Sequence, residues 1–211
     1  DPIVPGPRVL VQDARTTTHV ISGNIDDTVR LGRFVLSLGV RGEWMVDSFG
    51  SDEVTGNGKS YEFSDLLPGG SIVYEINDRW SLFANANATM RAPQVFDYDF
   101  TKPQQRFTFE HGETYEVGTR WERLACGLSG SLAAWQVDYS DFIEYDAVLD
   151  VVTNHGGYRS RGLDLAADVD FGAFSRRLRG LSLYGSVTRQ ESEIQVGANE
   201  GNTPFQVPDW L

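Results

Sequence analysis

The chain has 211 residues, with 22 glycines, 8 prolines, 12% aromatic residues and a formal net charge of −12. That length suits one large β domain or two small ones, and the aromatic content argues against disorder. An acidic surface repels phosphate backbones, which argues against nucleic-acid binding; no basic run marks an electrostatic lipid-binding segment, and no apolar stretch approaches the ~20 residues of a membrane-crossing helix.

Residues 1–15 read as the tail of a preceding loop, and a first strand is predicted over 16–29. Over 34–48, Phe34, Leu36, Leu38, Val40, Trp44 and Val46 alternate with Ser37, Gly39, Arg41, Glu43 and Asp47. One face of that strand is greasy and the other charged. A strand at 64–76 leads through Asn77-Asp78-Arg79 into a cleaner one at 80–91. There Trp80, Leu82, Ala84, Ala86, Ala88 and Met90 oppose Ser81, Asn85, Asn87, Thr89 and Arg91, with Phe83 the exception.

Further strands are predicted at 113–122 and 127–145. In the second of these the apolar phase switches from Leu128 and Leu132 to Trp135, Val137 and Tyr139, which predicts a β-bulge. Over 162–171, Leu163, Leu165, Ala167, Val169 and Phe171 oppose Asp164, Asp168 and Asp170, and three aspartates on one face require water. An eighth strand is predicted at 181–190, and a ninth begins near Gln206.

The connections at 30–33, 77–79 and 123–126 are short and that at 172–180 is intermediate; those at 49–63, 92–112, 146–157 and 191–205 are long. Long and short alternate, so one rim carries tight turns and the other long polar loops, the asymmetry of outer-membrane barrels. The expected fold is all-β: an antiparallel up-and-down transmembrane β-barrel, here a partial barrel of about eight to nine strands. A soluble sandwich is the competing reading, although sandwiches more often use Greek-key connections.

Enzymatic signatures are sparse. His19, His111 and His155 sit in no zinc-binding frame, and the lone Cys126 has neither a disulfide partner nor a metal partner at useful spacing. The acidic pairs Asp97/Asp99 and Asp138/Asp141 could be glycosidase carboxylates, but solvated loop or rim charge is the simpler reading. "GLSGS" at 127–131 lies in mid-strand and makes no nucleophile elbow. Neither an enzyme nor a cofactor is expected.

Several segments resemble the barrel domain of TonB-dependent outer-membrane receptors. They are "NIDDTVRLGRFVLSLGVRGE" at 24–43, "LLPGGSIVYEINDRWSLFANANATMRAP" at 66–93, "GETYEVGTRWE" at 112–122, "SRGLDLAADVDF" at 160–171, "LSLYGSVTRQESEI" at 181–194 and "GNTPFQVPDWL" at 201–211. They follow the family's order, in register with the hairpins, and the spacing also resembles the ferric-citrate receptor branch. The resemblance implies a barrel of about 22 strands around a plug, in the bacterial outer membrane. It implies uptake of a small-molecule iron chelate, such as a siderophore or ferric citrate, energised by TonB through the plug. Residues 1–211 are then expected to be part of one barrel domain, without the plug domain and the C-terminal strands. A passive diffusion barrel is the alternative within the membrane.

For such a receptor, ligand contacts belong on the long-loop rim. The 92–112 connection is the candidate, with Arg91, Tyr98, Lys102, Gln104, Gln105 and Arg106 as binding residues. Forked guanidinium donors suit an anionic chelate; the competing role for these cations is pairing with Asp97, Asp99 and Glu110. Trp44, Trp80, Tyr115, Trp121, Trp135 and Tyr139 are expected in aromatic girdles at the lipid headgroups. Arg41, Glu43, Glu75, Glu116, Arg120, Asp164 and Asp168 are expected to line a hydrated lumen.

Overall fold

A computed structural model of the chain describes residues 14–52, 57–93, 108–124, 127–146, 151–197 and 200–203. The expected loop tail at 1–13, the Cys126 thiol and the expected ninth strand near Gln206 lie outside these residues. The described strands form one antiparallel sheet in sequence order: β1 (Ala14–Leu31), β2 (Phe34–Asp52), β3 (Asn57–Asn77), β4 (Trp80–Arg91), β5 (Glu110–Trp121), β6 (Leu128–Asp146), β7 (Val151–Asp170) and β8 (Ser182–Val196). Every connection is to the adjacent strand, so the up-and-down topology is as expected.

The short turns behave as their residues require. Gly32 takes φ +62° in the two-residue β1–β2 turn, a backbone conformation that strains any side chain with a Cβ. At the β3–β4 turn the Asn77 side chain accepts a hydrogen bond from the Arg79 amide at 2.9 Å. The longer β7–β8 turn holds two 3-10 turns, Phe171–Ala173 and Arg176–Leu178, capped by Asp170 and Ser175 respectively.

The long connections differ from expectation. Much of 49–63 and 146–157 is strand, because β2 continues to Asp52 before β3 begins at Asn57, and β6 runs to Asp146 before β7 begins at Val151. Ladder pairing persists there, although the sequence alternation that marks a half-buried strand is weak over these stretches. The expected bulge is also displaced. Pairing of β5 with β6 is unbroken from Gly130 to Ser140, and the irregularities fall at Tyr139/Phe142 and Phe142/Glu144, where Asp141 takes φ +54°. The phase switch at Trp135 is therefore a change in which face is apolar.

A single sheet layer leaves its apolar face uncovered: Ile25 is 73% exposed, Leu38 71% and Leu163 54%. A soluble sandwich would bury those side chains against a second layer, whereas hydrocarbon suits them as they stand.

The strand register shows how the apolar band crosses the sheet. One ladder of paired residues runs Phe34–Tyr74–Leu82–Thr119–Leu132–Leu165–Val187. On β2 it marks the bottom of the apolar run, which continues up to Trp44; on β8 it marks the top, since Arg189 and Glu191 follow on that face. The band's upper edge thus falls by ten residues, about 34 Å at ~3.4 Å each, across six strand spacings of about 4.8 Å. The lower edge falls less, from Phe34 to Leu181. The two slopes, roughly 50° and 35°, bracket the strand tilt of outer-membrane barrels. At a 45° tilt the β2 run spans about 24 Å of height, close to their ~25 Å apolar band.

Aromatic rings pack over glycines on neighbouring strands. Phe83 lies over Gly118, Trp121 over Gly130 and Trp135 over Gly162, each glycine being the ring's direct partner in register. A Cβ on Gly162 would sit 2.6 Å from both the Trp135 ring and the Arg189 carbonyl oxygen. Gly162→Val should cost about 1–3 kcal/mol through this overpacking, read as a lower urea midpoint for the full-length protein in detergent; an unchanged midpoint would show that both the ring and the β8 backbone give way.

Candidate functional site

The sheet's second face is polar along most of its height. Arg41, Glu43, Glu75, Glu116, Arg120, Asp164 and Asp168 share it, as the strand parity requires. The Arg30 guanidinium grips the Glu75 carboxylate at 2.6 and 3.0 Å. Arg41 pairs with Glu43 at 2.6 Å, Asn85 donates to Glu116 at 2.6 Å, and Arg120 lies 5.6 Å from the centre of the Phe83 ring.

The aromatic expectation divides. Trp44, Trp80, Tyr115 and Trp121 lie on the apolar face, with Trp80 and Trp121 at its lower edge and Trp44 at its upper edge. Trp80 also donates its indole N–H to Thr119 Oγ1 at 2.6 Å. Trp135 and Tyr139 lie on the polar face instead, because they follow the phase switch in β6.

A cluster of polar contacts sits where the 92–109 loop leaves β4 and enters β5. Arg91 and Glu110 are direct partners in register, and guanidinium and carboxylate meet through two contacts of 2.5 and 2.6 Å. The Glu110 side chain is only 3% exposed and that of Arg91 33%. Glu110 Oε1 also accepts a hydrogen bond from the Ile143 amide on β6 at 2.9 Å. A carboxylate this enclosed stays charged at acceptable cost only when paired and hydrogen-bonded as this one is.

Asn154, on β7, holds the loop's returning leg. Its Oδ1 accepts hydrogen bonds from the Thr108 amide and hydroxyl at 2.5 Å each, while its Nδ2 donates to the Asp141 carbonyl in the β6 bulge. Aromatic contacts thicken this base: Phe109 lies edge-on to Phe63 and His111, and Tyr139 stacks on Tyr158 with centroids 4.5 Å apart. Burial, with Tyr139 alongside, pushes the Tyr158 phenol up from its ordinary range. His111 Nδ1 lies 3.4 Å from Asp65.

Of the six binding candidates, Arg91 is the one within the described residues, and its guanidinium is engaged by Glu110, the pairing weighed as its alternative role. Tyr98, Lys102, Gln104, Gln105 and Arg106 lie outside them. Sequence reasoning missed Asn154 and Thr108. Asn154 falls in a stretch read as loop, and only the bulge and the neighbouring strand bring it to Thr108. Among the described residues no group of three or more His, Cys, Asp or Glu side chains could hold a metal ion. Chemically, the arrangement fixes the two ends of the 92–109 connection, through the Arg91–Glu110 pair and the Asn154–Thr108 hydrogen bonds.

All of residues 1–211 match the family of TonB dependent receptor-like beta-barrels. Among solved structures, the chain is similar to the unliganded ferric citrate transporter FecA, with 26% identity, TM-score 0.76, and coverage of 94% of this chain and 30% of that one. The siderophore receptor PiuA from Acinetobacter baumannii matches at 15% identity and TM-score 0.75, over 94% of this chain and 30% of its own. The ferric yersiniabactin uptake receptor FyuA from Yersinia pestis matches at 21% and 0.69, over 93% and 30%. The chain therefore spans about a third of the length of these proteins.

Proposed function

The chain belongs to the TonB-dependent receptor β-barrel family, and from that premise we propose that residues 1–211 are part of one barrel domain of an outer-membrane receptor for an iron chelate. The substrate class is a siderophore or ferric citrate. Transport is energised by TonB, acting through a plug domain that lies outside this chain, and outer-membrane lipid surrounds the wall.

The observation that carries this reading is the two-faced sheet, with an apolar band of bilayer height on one side and paired charges on the other. Ligand capture falls to Tyr98, Lys102, Gln104, Gln105 and Arg106, where cationic and amide donors stand among aromatics. Arg91 anchors that loop through Glu110.

The test starts from the full-length parent protein. Cell envelopes run on gels with and without boiling should give an outer-membrane band that migrates faster unboiled. Iron-limited cells should then take up ferric chelates only while TonB is present. A soluble protein whose mobility ignores boiling would overturn the barrel reading; uptake indifferent to TonB would replace the receptor with a passive pore.

A further inference from the structure

The β7–β8 turn differs from the other turns at its rim. It carries Arg176, Arg177 and Arg179, all exposed, in a protein whose net charge is −12. Among the described residues none of the three forms an ion pair. Three arginines in four positions are too brief to read as a basic run in the sequence. The hairpin order adds to them, because Arg33, Arg79 and Arg123 occupy the other three turns of the same rim.

The same turn is greasy. Phe171 and Leu181 meet through the Phe171 amide and Leu181 carbonyl, and both keep the parity of Val169 and Leu183 on the apolar face. The lipid-facing band therefore continues into the turn without interruption. Phe174, 61% exposed, packs on Phe171 with ring centroids 6.3 Å apart, and Leu178 is 41% exposed. Apolar side chains continuous with a membrane band, with unpaired guanidiniums beside them, are the composition of an interfacial anchor.

We propose that residues 171–181 form a site for anionic phospholipid headgroups, with Phe174 and Leu178 entering the interface and Arg176, Arg177 and Arg179 binding lipid phosphate. Guanidinium offers phosphate a forked set of donors, and basic side chains held at an anionic surface favour it additively. The site rests on the membrane reading above and adds a lipid preference confined to the tight-turn rim.

The full-length receptor would be reconstituted into vesicles of equimolar phosphatidylglycerol and phosphatidylcholine. Lipid retained after mild detergent extraction is then counted by native mass spectrometry. The wild type should retain phosphatidylglycerol preferentially. R176Q/R177Q/R179Q should lower the preference about fivefold for each arginine removed, and the corresponding triple lysine variant should keep most of it. If the glutamine triple variant does not fold, Arg177→Gln alone reads the share of one arginine, about fivefold. An unchanged preference overturns the proposal. So does arginine-dependent capture of an acidic protein with lipid retention unaltered. Failure of the membrane reading is separate, since it appears as wild-type protein whose migration is indifferent to boiling.

Discussion

Leu38→Arg should destabilise the full-length barrel by about 2–4 kcal/mol, whereas Gln136→Arg should change stability by less than about 1 kcal/mol. The two positions belong to one ladder of paired residues, Leu38–Gly70–Ala86–Tyr115–Gln136–Arg161–Glu191. In a flat soluble sheet they would occupy equivalent heights. In a tilted membrane wall they do not: Leu38 sits in the middle of the apolar run of β2, while Gln136 stands above that of β6, beside a natural arginine. An arginine at bilayer mid-depth must drag water or thin the membrane, and near the headgroups it need do neither. Urea unfolding in phospholipid vesicles measures both variants. Equal costs at the two positions would refute the tilted band.

Glu110→Ala comes second in size. Breaking an ion pair by removing one partner costs about 3–5 kcal/mol when both are buried. Arg91 is one-third exposed and can recover some hydration, so about 2–4 kcal/mol is expected here. The Ile143 amide loses its acceptor as well. Because both ends of the loop depend on this contact, limited proteolysis should cut within 92–109 faster in the variant. Adding Arg91→Met separates the two contacts of Glu110: stability regained in the double variant assigns that part of the cost to the Arg91 guanidinium, and a double variant no better than the single would mean that Glu110 acts through Ile143 alone.

How much of this was readable from residues alone depended on what each face touches. Strand β4 was legible to its ends, Trp80 and Arg91, because one face meets lipid and the other the polar channel side throughout. Strands β2, β3, β6 and β7 extend further than their alternation suggested, because backbone ladder pairing continues where the apolar–polar alternation lapses. The switch at Trp135 was visible, but a bulge and a change of apolar face leave the same trace in sequence; only the register of β5 against β6 separates them. At the loop base, the Arg91–Glu110 pairing could be weighed from charge alone. Asn154 could not, because its partners come from β6 and from the far leg of another connection.

The glycines beneath Phe83, Trp121 and Trp135 have a consequence for how the wall is assembled. Alternation guards against a slip of one residue between strands, which would turn every apolar side chain to the wrong face. It is blind to a slip of two, which preserves both faces. Shifted by two, Trp121 would oppose Leu128 or Leu132 in place of Gly130, and Trp135 would oppose Ser160 or Asp164 in place of Gly162. Neither ring would then find the space a missing side chain leaves for it. Each aromatic–glycine pair thus works as a proofreading key, accepting one alignment of its hairpin and rejecting the near-misses that polarity alone would let pass.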